Sequence, residues 1–331
     1  MQARPLGRTG LTVSVLGFGC GAVGGLMVRG APADQERAVA RAVQAGINYF
    51  DTAPLYGNGA SETNLGRVLH RLKPNVVVGT KVRLKDTDKS DIAAAVAASL
   101  DASLRRLGRD HVDLFQLHNP ISVTHEPESI PADMVLDQVV PAFERLRAQG
   151  KTRFFGITAI GDTDALHQVV DAGVLHTAQV PYNLLNPSIG GDMPVGFPAQ
   201  DYRNLLRAMG QSGMGAIGIR VLAAGALSGD AERHPIASPA PAPIGSAHDY
   251  AADLARAQRL RALVTEGHAV TLAEAAVRYV IAHPAMSTVL IGTATIDQLE
   301  QAIAAAEKGA LSPEGLQRAA VLQREFAGEA R

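Results

Sequence analysis

The chain has 331 residues, 47% of them hydrophobic and 19% charged, the proportions of a folded globular protein rather than a disordered one. Its 31 basic and 32 acidic side chains leave a net charge of -1, which gives no electrostatic footprint for nucleic acid or an anionic membrane surface. A single cysteine, Cys20, excludes an intramolecular disulfide and argues against a cysteine-built zinc site, and no metal centre is expected.

The opening Met1-Gln2-Ala3-Arg4-Pro5 runs into a polar turn, unlike the apolar core of a signal peptide. No apolar run approaches the ~18 residues of a membrane helix, and a cytoplasmic protein is expected. From there, short apolar, β-branched runs alternate with Ala-rich stretches of helical spacing. Strands are expected at 15–18, 47–50, 76–78 and 112–115, followed by helices over 34–45, 61–72, 90–107 and 137–149. The rhythm continues with strands at 153–157, 177–180, 216–219 and 288–291. Their helices are expected over 163–172, 201–211, 251–265 with 272–283, and 297–306.

Near-continuous apolar strands separated by helices are parallel and buried on both faces. Eight such units predict an α/β fold, a (β/α)8 TIM barrel; a doubly wound sheet would normally stop at about five to seven strands. The segment 6–15, with Thr9-Gly10 at a turn, predicts a short β-hairpin plugging one end. Ser61 with Glu62 and Asn64 is expected to open one helix, and Gly46, Gly150 and Gly173 to close others in left-handed conformations. No linker or composition shift divides the chain, so one domain over 1–331 is expected. Long connections at 119–136, 186–200 and 230–250 follow the fourth, sixth and seventh strands. They fall on the C-terminal face, where barrel enzymes build their sites.

Ionisable residues at the ends of such strands need an explanation. Asp51 ends the second strand, Lys81 the third and His118 the fourth, and Tyr56 lies five residues past Asp51. Singly, each has an ordinary reading: a turn-forming carboxylate, a lysine reaching for water, a hydrogen-bonded core histidine, a packed tyrosine. Together, on neighbouring strands of one rim, they predict a Lys81–Asp51 ion pair, because either charge buried alone would cost several kcal/mol. A phenol beside that ammonium is expected to ionise below its usual ~10 and to exchange a proton near neutral pH. An adjacent imidazole would orient a substrate oxygen. This set suits carbonyl polarisation during hydride delivery. No side chain supplies hydride, so a nicotinamide cofactor is required. Gly17-x-Gly19-x-Gly21 lacks the Rossmann spacing and ribose acid, which leaves the barrel loops to hold it.

These residues resemble the aldo-keto reductase family from about Leu6 to Ala306. The stretch Gly46-Ile47-Asn48-Tyr49-Phe50-Asp51-Thr52-Ala53-Pro54-Leu55-Tyr56-Gly57, continuing through Ser61-Glu62 to Leu65-Gly66, is similar to the family's first signature. Gly79-Thr80-Lys81 resembles its lysine strand, and Val112 to His118 its histidine strand. The resemblance implies that Tyr56 donates the proton in reduction, assisted by Lys81 and Asp51, with His118 orienting the carbonyl. It implies an extended NADP(H) or NAD(H) across the barrel mouth, its nicotinamide end near Asp51, Asn119, Thr158 and Gln179. Arg220 and Leu222 would meet its middle, and Gly292, Ala294 and Gln298 its adenosine half.

Departures from the family pattern bear on function. Ala159 replaces an Asn at the carboxamide, and Ile219 an aromatic ring against the nicotinamide. Arg220 replaces a small Ser, Ala302 an Asn that reads adenine, and Ala294 and Thr295 the basic residues that meet a 2′-phosphate. Losing that charge-assisted bond makes NADH use an expectation to test. Met27, Leu55, Asn119, Ile189, Met193 and Phe197 are the candidate substrate contacts. The partner is a small carbonyl or alcohol. Two other functions stay open at this point: a cofactor-binding regulatory or sensor protein with little turnover, and a lyase using Lys81 as a Schiff base.

Overall fold

The computed structural model describes residues 1–229 and 232–329; Asp230, the first residue of the third long connection, lies outside them. Eight parallel strands close into a barrel in chain order. They are β1 (Leu16–Gly19), β2 (Tyr49–Asp51), β3 (Val77–Val82), β4 (Val112–Leu117), β5 (Thr152–Thr158), β6 (Thr177–Pro181), β7 (Gly215–Ile219) and β8 (Met286–Gly292). β8 returns to β1 with Leu290 opposite Gly17 and Gly292 opposite Gly19. Helices follow the strands, as a sheet buried on both faces demands. No helix among the described residues is long and apolar enough to cross a membrane.

Inside the barrel Tyr49, Val77, Leu114, Ile217 and Leu290 meet Leu6 and Val13 from the N-terminal hairpin. That hairpin pairs Ala3–Pro5 with Thr12–Ser14 around Gly10 at φ +73°, so its first strand starts before residue 6. It does plug the end where strands begin. Arg8 donates to the carbonyls of Gly173 and Leu175, just before β6, and Arg4 to that of Met286 at the start of β8.

Three local expectations give way to tertiary structure. The helix expected to open at Ser61 is Ala60–Leu72, and Ser61 does not cap it; the hydroxyl meets the Cys20 carbonyl and Thr52 instead. The helix expected over 137–149 starts earlier, with Ala132–Met134, and passes through a wide turn, Val135–Val139, before Val140–Ala148, because Pro141 has no N–H to continue the four-residue ladder. The helix expected from 201 starts at Leu205, after Arg203 and Asn204 adopt left-handed φ values of 50° and 53°. Gly46, Gly150 and Gly173, at φ 84°, 75° and 68°, do close their helices.

Candidate active site

Strand register sets the four rim residues. Asp51 lies opposite Gly79, so Lys81, two residues on and facing the same way, rises one layer above the carboxylate. Lys81 is fully buried and donates to Asp51 Oδ2 and, at 2.9 Å, to the Thr52 carbonyl. Its third donor points at the Tyr56 hydroxyl, 3.2 Å away. Tyr56 is held on its loop by two backbone turns, its N–H on the Ala53 carbonyl and its own carbonyl under the Ser61 N–H. His118 is the first residue past β4, tied by its N–H to the Val82 carbonyl. Its ring stands edge-on to Tyr56, centroids 5.9 Å apart, with Nδ1 buried and unpartnered.

Burial and charge decide the protonation states. Burial alone would lower the Lys81 ammonium, but Asp51 and Tyr56 outweigh it and leave it above its ordinary value. A protonated, ion-paired lysine is no Schiff-base nucleophile. For Tyr56 burial wins: the phenol is pushed above its ordinary value, Lys81 pulls it only part of the way back, and Asp51 adds to the rise. The expectation of a lowered phenol is therefore corrected in sign, because Lys81 acts in a site too dry for its pull to dominate. Burial, then Lys81 and Arg83, push His118 down to about 3, so its imidazole is neutral.

A cavity of about 380 Å³ runs from Asp51, Tyr56, His118, Thr158 and Gln179 past Ile219, Arg220 and Leu222 to Gly292, Ala294 and Gln298. Gln179 donates to Asp51 Oδ1 at 2.6 Å, while the Thr158 hydroxyl is buried without a partner. Arg220 holds a left-handed φ of 54°, its carbonyl under Asn183 Nδ2 and its guanidinium 3.4 Å from the Ala242 carbonyl. No carboxylate pairs with it among the described residues. Burial lowers this guanidinium from its ordinary value. At the far end Gln298 Oε1 accepts the Ala294 N–H, and Thr295 caps the helix Ile296–Glu307.

Over residues 15–322 the chain matches the sequence model of the Aldo/keto reductase family. The chain belongs to the aldo-keto reductase family. L-galactose dehydrogenase of Arabidopsis thaliana is 31% identical over 310 residues, covering 92% of this chain and 88% of that protein. Pyridoxal 4-dehydrogenase of Microbacterium luteolum is 28% identical over 336 residues, covering 91% of each. The holo form of an aldo-keto reductase from Bacillus halodurans superposes with a TM-score of 0.72 at 26% identity, over 97% of this chain and 96% of that one. With dehydrogenases and reductases as its relatives, this aldo-keto reductase is an oxidoreductase.

Not every expected residue reaches the mouth of this aldo-keto reductase. Asn119 is fully buried behind it: Nδ2 donates to the carbonyls of Leu84 and Glu128, and Oδ1 accepts the Leu84 N–H. Its amide braces a loop, with both Nδ2 protons taken up by backbone carbonyls. None of the six candidate substrate contacts lines the cavity. Met27 and Ile189 are core, and Phe197 packs on Phe326. Of the three long connections only the third lines the cavity, through Arg233, His234 and Ile244 among others. The first is tied down by Asn119, and the second by Asn186 Nδ2 on the carbonyls of Gln200 and Gly245. Apolar lining of the cavity comes instead from Val23, Ile160 and Ile219 among others. Val23 and Ile160 do not stand out in the sequence, because they sit on short loops that carry no pattern of their own.

Proposed function

We propose that this aldo-keto reductase reduces an aldehyde or ketone to an alcohol, and runs the reverse, with Tyr56 donating and accepting the proton. The observation that carries this is the Lys81 ammonium donating at 3.2 Å to the Tyr56 hydroxyl inside a buried ion pair with Asp51. A phenol above its ordinary pKa stays protonated at neutral pH, which is the form a proton donor needs. As that proton leaves, the ammonium stabilises the phenolate, and Asp51 keeps the ammonium charged and in place. Neutral His118, edge-on to Tyr56, can donate a hydrogen bond to the same carbonyl oxygen without bringing a charge.

The residues present fit a nicotinamide dinucleotide. Thr158 offers a buried hydroxyl without a partner beside Gln179, whose amide both donates and accepts, and together they suit a carboxamide. Arg220, a cavity-lining cation with no carboxylate ion-paired to it among the described residues, would meet the pyrophosphate, with Leu222 beside it. Left-handed φ values at Arg220, Ala223 and Ala224 (54°, 45° and 59°) store strain typical of a ligand cradle. Gly292, Ala294 and Gln298 would face the adenosine. With alanine, threonine and glutamine there, nothing selects a 2′-phosphate, which favours NAD(H) over NADP(H). When bound, the reduced nicotinamide supplies the hydride that no side chain can. Turnover of a panel of aldehydes with either dinucleotide tests the assignment: Tyr56→Phe is expected to lower it by about 10²- to 10⁴-fold, and unchanged turnover would overturn it.

A further inference from the structure

Below the rim, Tyr49 stands in the barrel interior with no exposed surface, and nothing in the reaction as described uses it. It lies two residues before Asp51 on β2, so the two side chains share the inward face. Its hydroxyl donates to Asp51 Oδ1 at 3.0 Å. Barrel interiors are normally filled by apolar branched side chains, and a phenol there needs room. Both flanking strands provide it with glycine. A Cβ on Gly79 would lie 2.8 Å from the Tyr49 hydroxyl, and one on Gly17 would lie 3.1 Å from the ring. Gly79 in particular makes space for the oxygen, which a phenylalanine would not require.

We propose that Tyr49 is a positioning residue, a second tyrosine that fixes the Asp51 carboxylate from beneath so that Oδ2 stays on Lys81. Oδ1 has two donors, Tyr49 and Gln179. In the function proposed above, on which this inference rests, Gln179 also serves the nicotinamide carboxamide. Tyr49 is then the donor that remains committed to Oδ1. Burial and Asp51 push the Tyr49 phenol well above its ordinary value, so it stays protonated and remains a donor. Without that donor, the negative charge at Oδ1 is less compensated and the carboxylate is freer to turn. The potential at Tyr56 becomes more negative, and its phenol holds its proton more tightly.

The test is Tyr49→Phe in the full chain, with 4-nitrobenzaldehyde as probe and Tyr56→Phe in parallel. A charge-assisted hydrogen bond felt at one remove is expected to lower kcat about fivefold while KM stays within about twofold. The basic limb of the kcat–pH profile is expected to move up by about half a unit. The same shift is readable without turnover, from the Cζ carbon resonance of Tyr56 in 13C-tyrosine-labelled protein, assigned by its absence from Tyr56→Phe. Gly79→Ala, which crowds the phenol off Oδ1, is expected to reproduce both effects and to add little on top of Tyr49→Phe. A Tyr49→Phe protein with unchanged kcat and an unmoved Tyr56 titration overturns the proposal. So does one that only melts earlier, since packing alone would leave the titration in place. Wild-type turnover by Tyr56→Phe would instead overturn the proton-donor assignment itself.

Discussion

Lys81 meets Tyr56 twice: its ammonium is 3.2 Å from the hydroxyl and 4.9 Å from the centroid of the ring. Tyr56→Phe keeps the ring, and with it the edge-on contact to His118, and removes only the exchangeable proton. We expect kcat to fall by about 10²- to 10⁴-fold, the usual contribution of a positioned acid. Dinucleotide affinity, read from reduced-nicotinamide fluorescence, is expected to stay within about threefold, since the phenol is not among the groups assigned to hold it.

The pH dependence follows from the signs already given. With Tyr56 as the proposed proton donor, reduction would need its protonated form, whose pKa burial holds above its ordinary value, so kcat for reduction is expected to stay level through neutrality and to fall only as pH climbs through that raised value. Oxidation of the alcohol needs the phenolate and rises over the same range. His118, held near 3, adds no limb between about pH 5 and 8, although an unperturbed imidazole would titrate there. A histidine-like inflection in that window, abolished by His118→Ala, would contradict the neutral-imidazole reading.

The Asp51–Lys81 pair also bears on stability. Removing one partner strands a buried charge, and we expect Asp51→Asn or Lys81→Met to cost about 3–5 kcal/mol in urea denaturation. The double variant should recover a good part of that while staying inactive. The linkage sign is that of a lysine raised in the fold. Its stabilisation is complete below the ordinary value of 10.5 and is lost as pH rises through the higher folded value. Equal losses that simply add in the double variant would show that the two groups do not interact.

Strand positions were legible because both faces of a parallel barrel are buried, so runs such as Val112–Leu117 are buried throughout and mostly apolar, and an ionisable residue at their end stands out. Asp51, Lys81 and His118 announced themselves this way. Tyr49 was legible in principle, since it shares the inward face of β2 with Asp51, but an aromatic residue in a strand reads as packing until its hydroxyl has a partner. The sign of the Tyr56 shift was not legible, because it turns on how dry the site is, a property of the whole mouth. Nor was the position of Asn119: whether an amide faces a ligand or braces a loop depends on the Leu84 and Glu128 backbone that the fold brings to it.

In the proposed function, Arg220 would separate general dinucleotide binding from selection between dinucleotides. Arg220 lines the cavity without a carboxylate partner among the described residues, and its backbone holds a strained φ of 54°. A charge-assisted contact to a pyrophosphate shared by both cofactors is worth about 1.5–3 kcal/mol, so Arg220→Ser is expected to weaken NADH and NADPH together by at least about tenfold. Under the same proposal, selection would lie at the other end, where exposed Gln298 lines the cavity beside Ala294. Gln298→Arg places a cation there and is expected to raise the NADPH-to-NADH affinity ratio by about tenfold, although the Gln298 bond to the Ala294 N–H is lost. Binding titrations with both dinucleotides check the pair of variants. An unmodified protein that already binds NADPH ten times more tightly than NADH would place the 2′-phosphate against some other cation, and a selective loss of NADPH in Arg220→Ser would identify Arg220 as that cation.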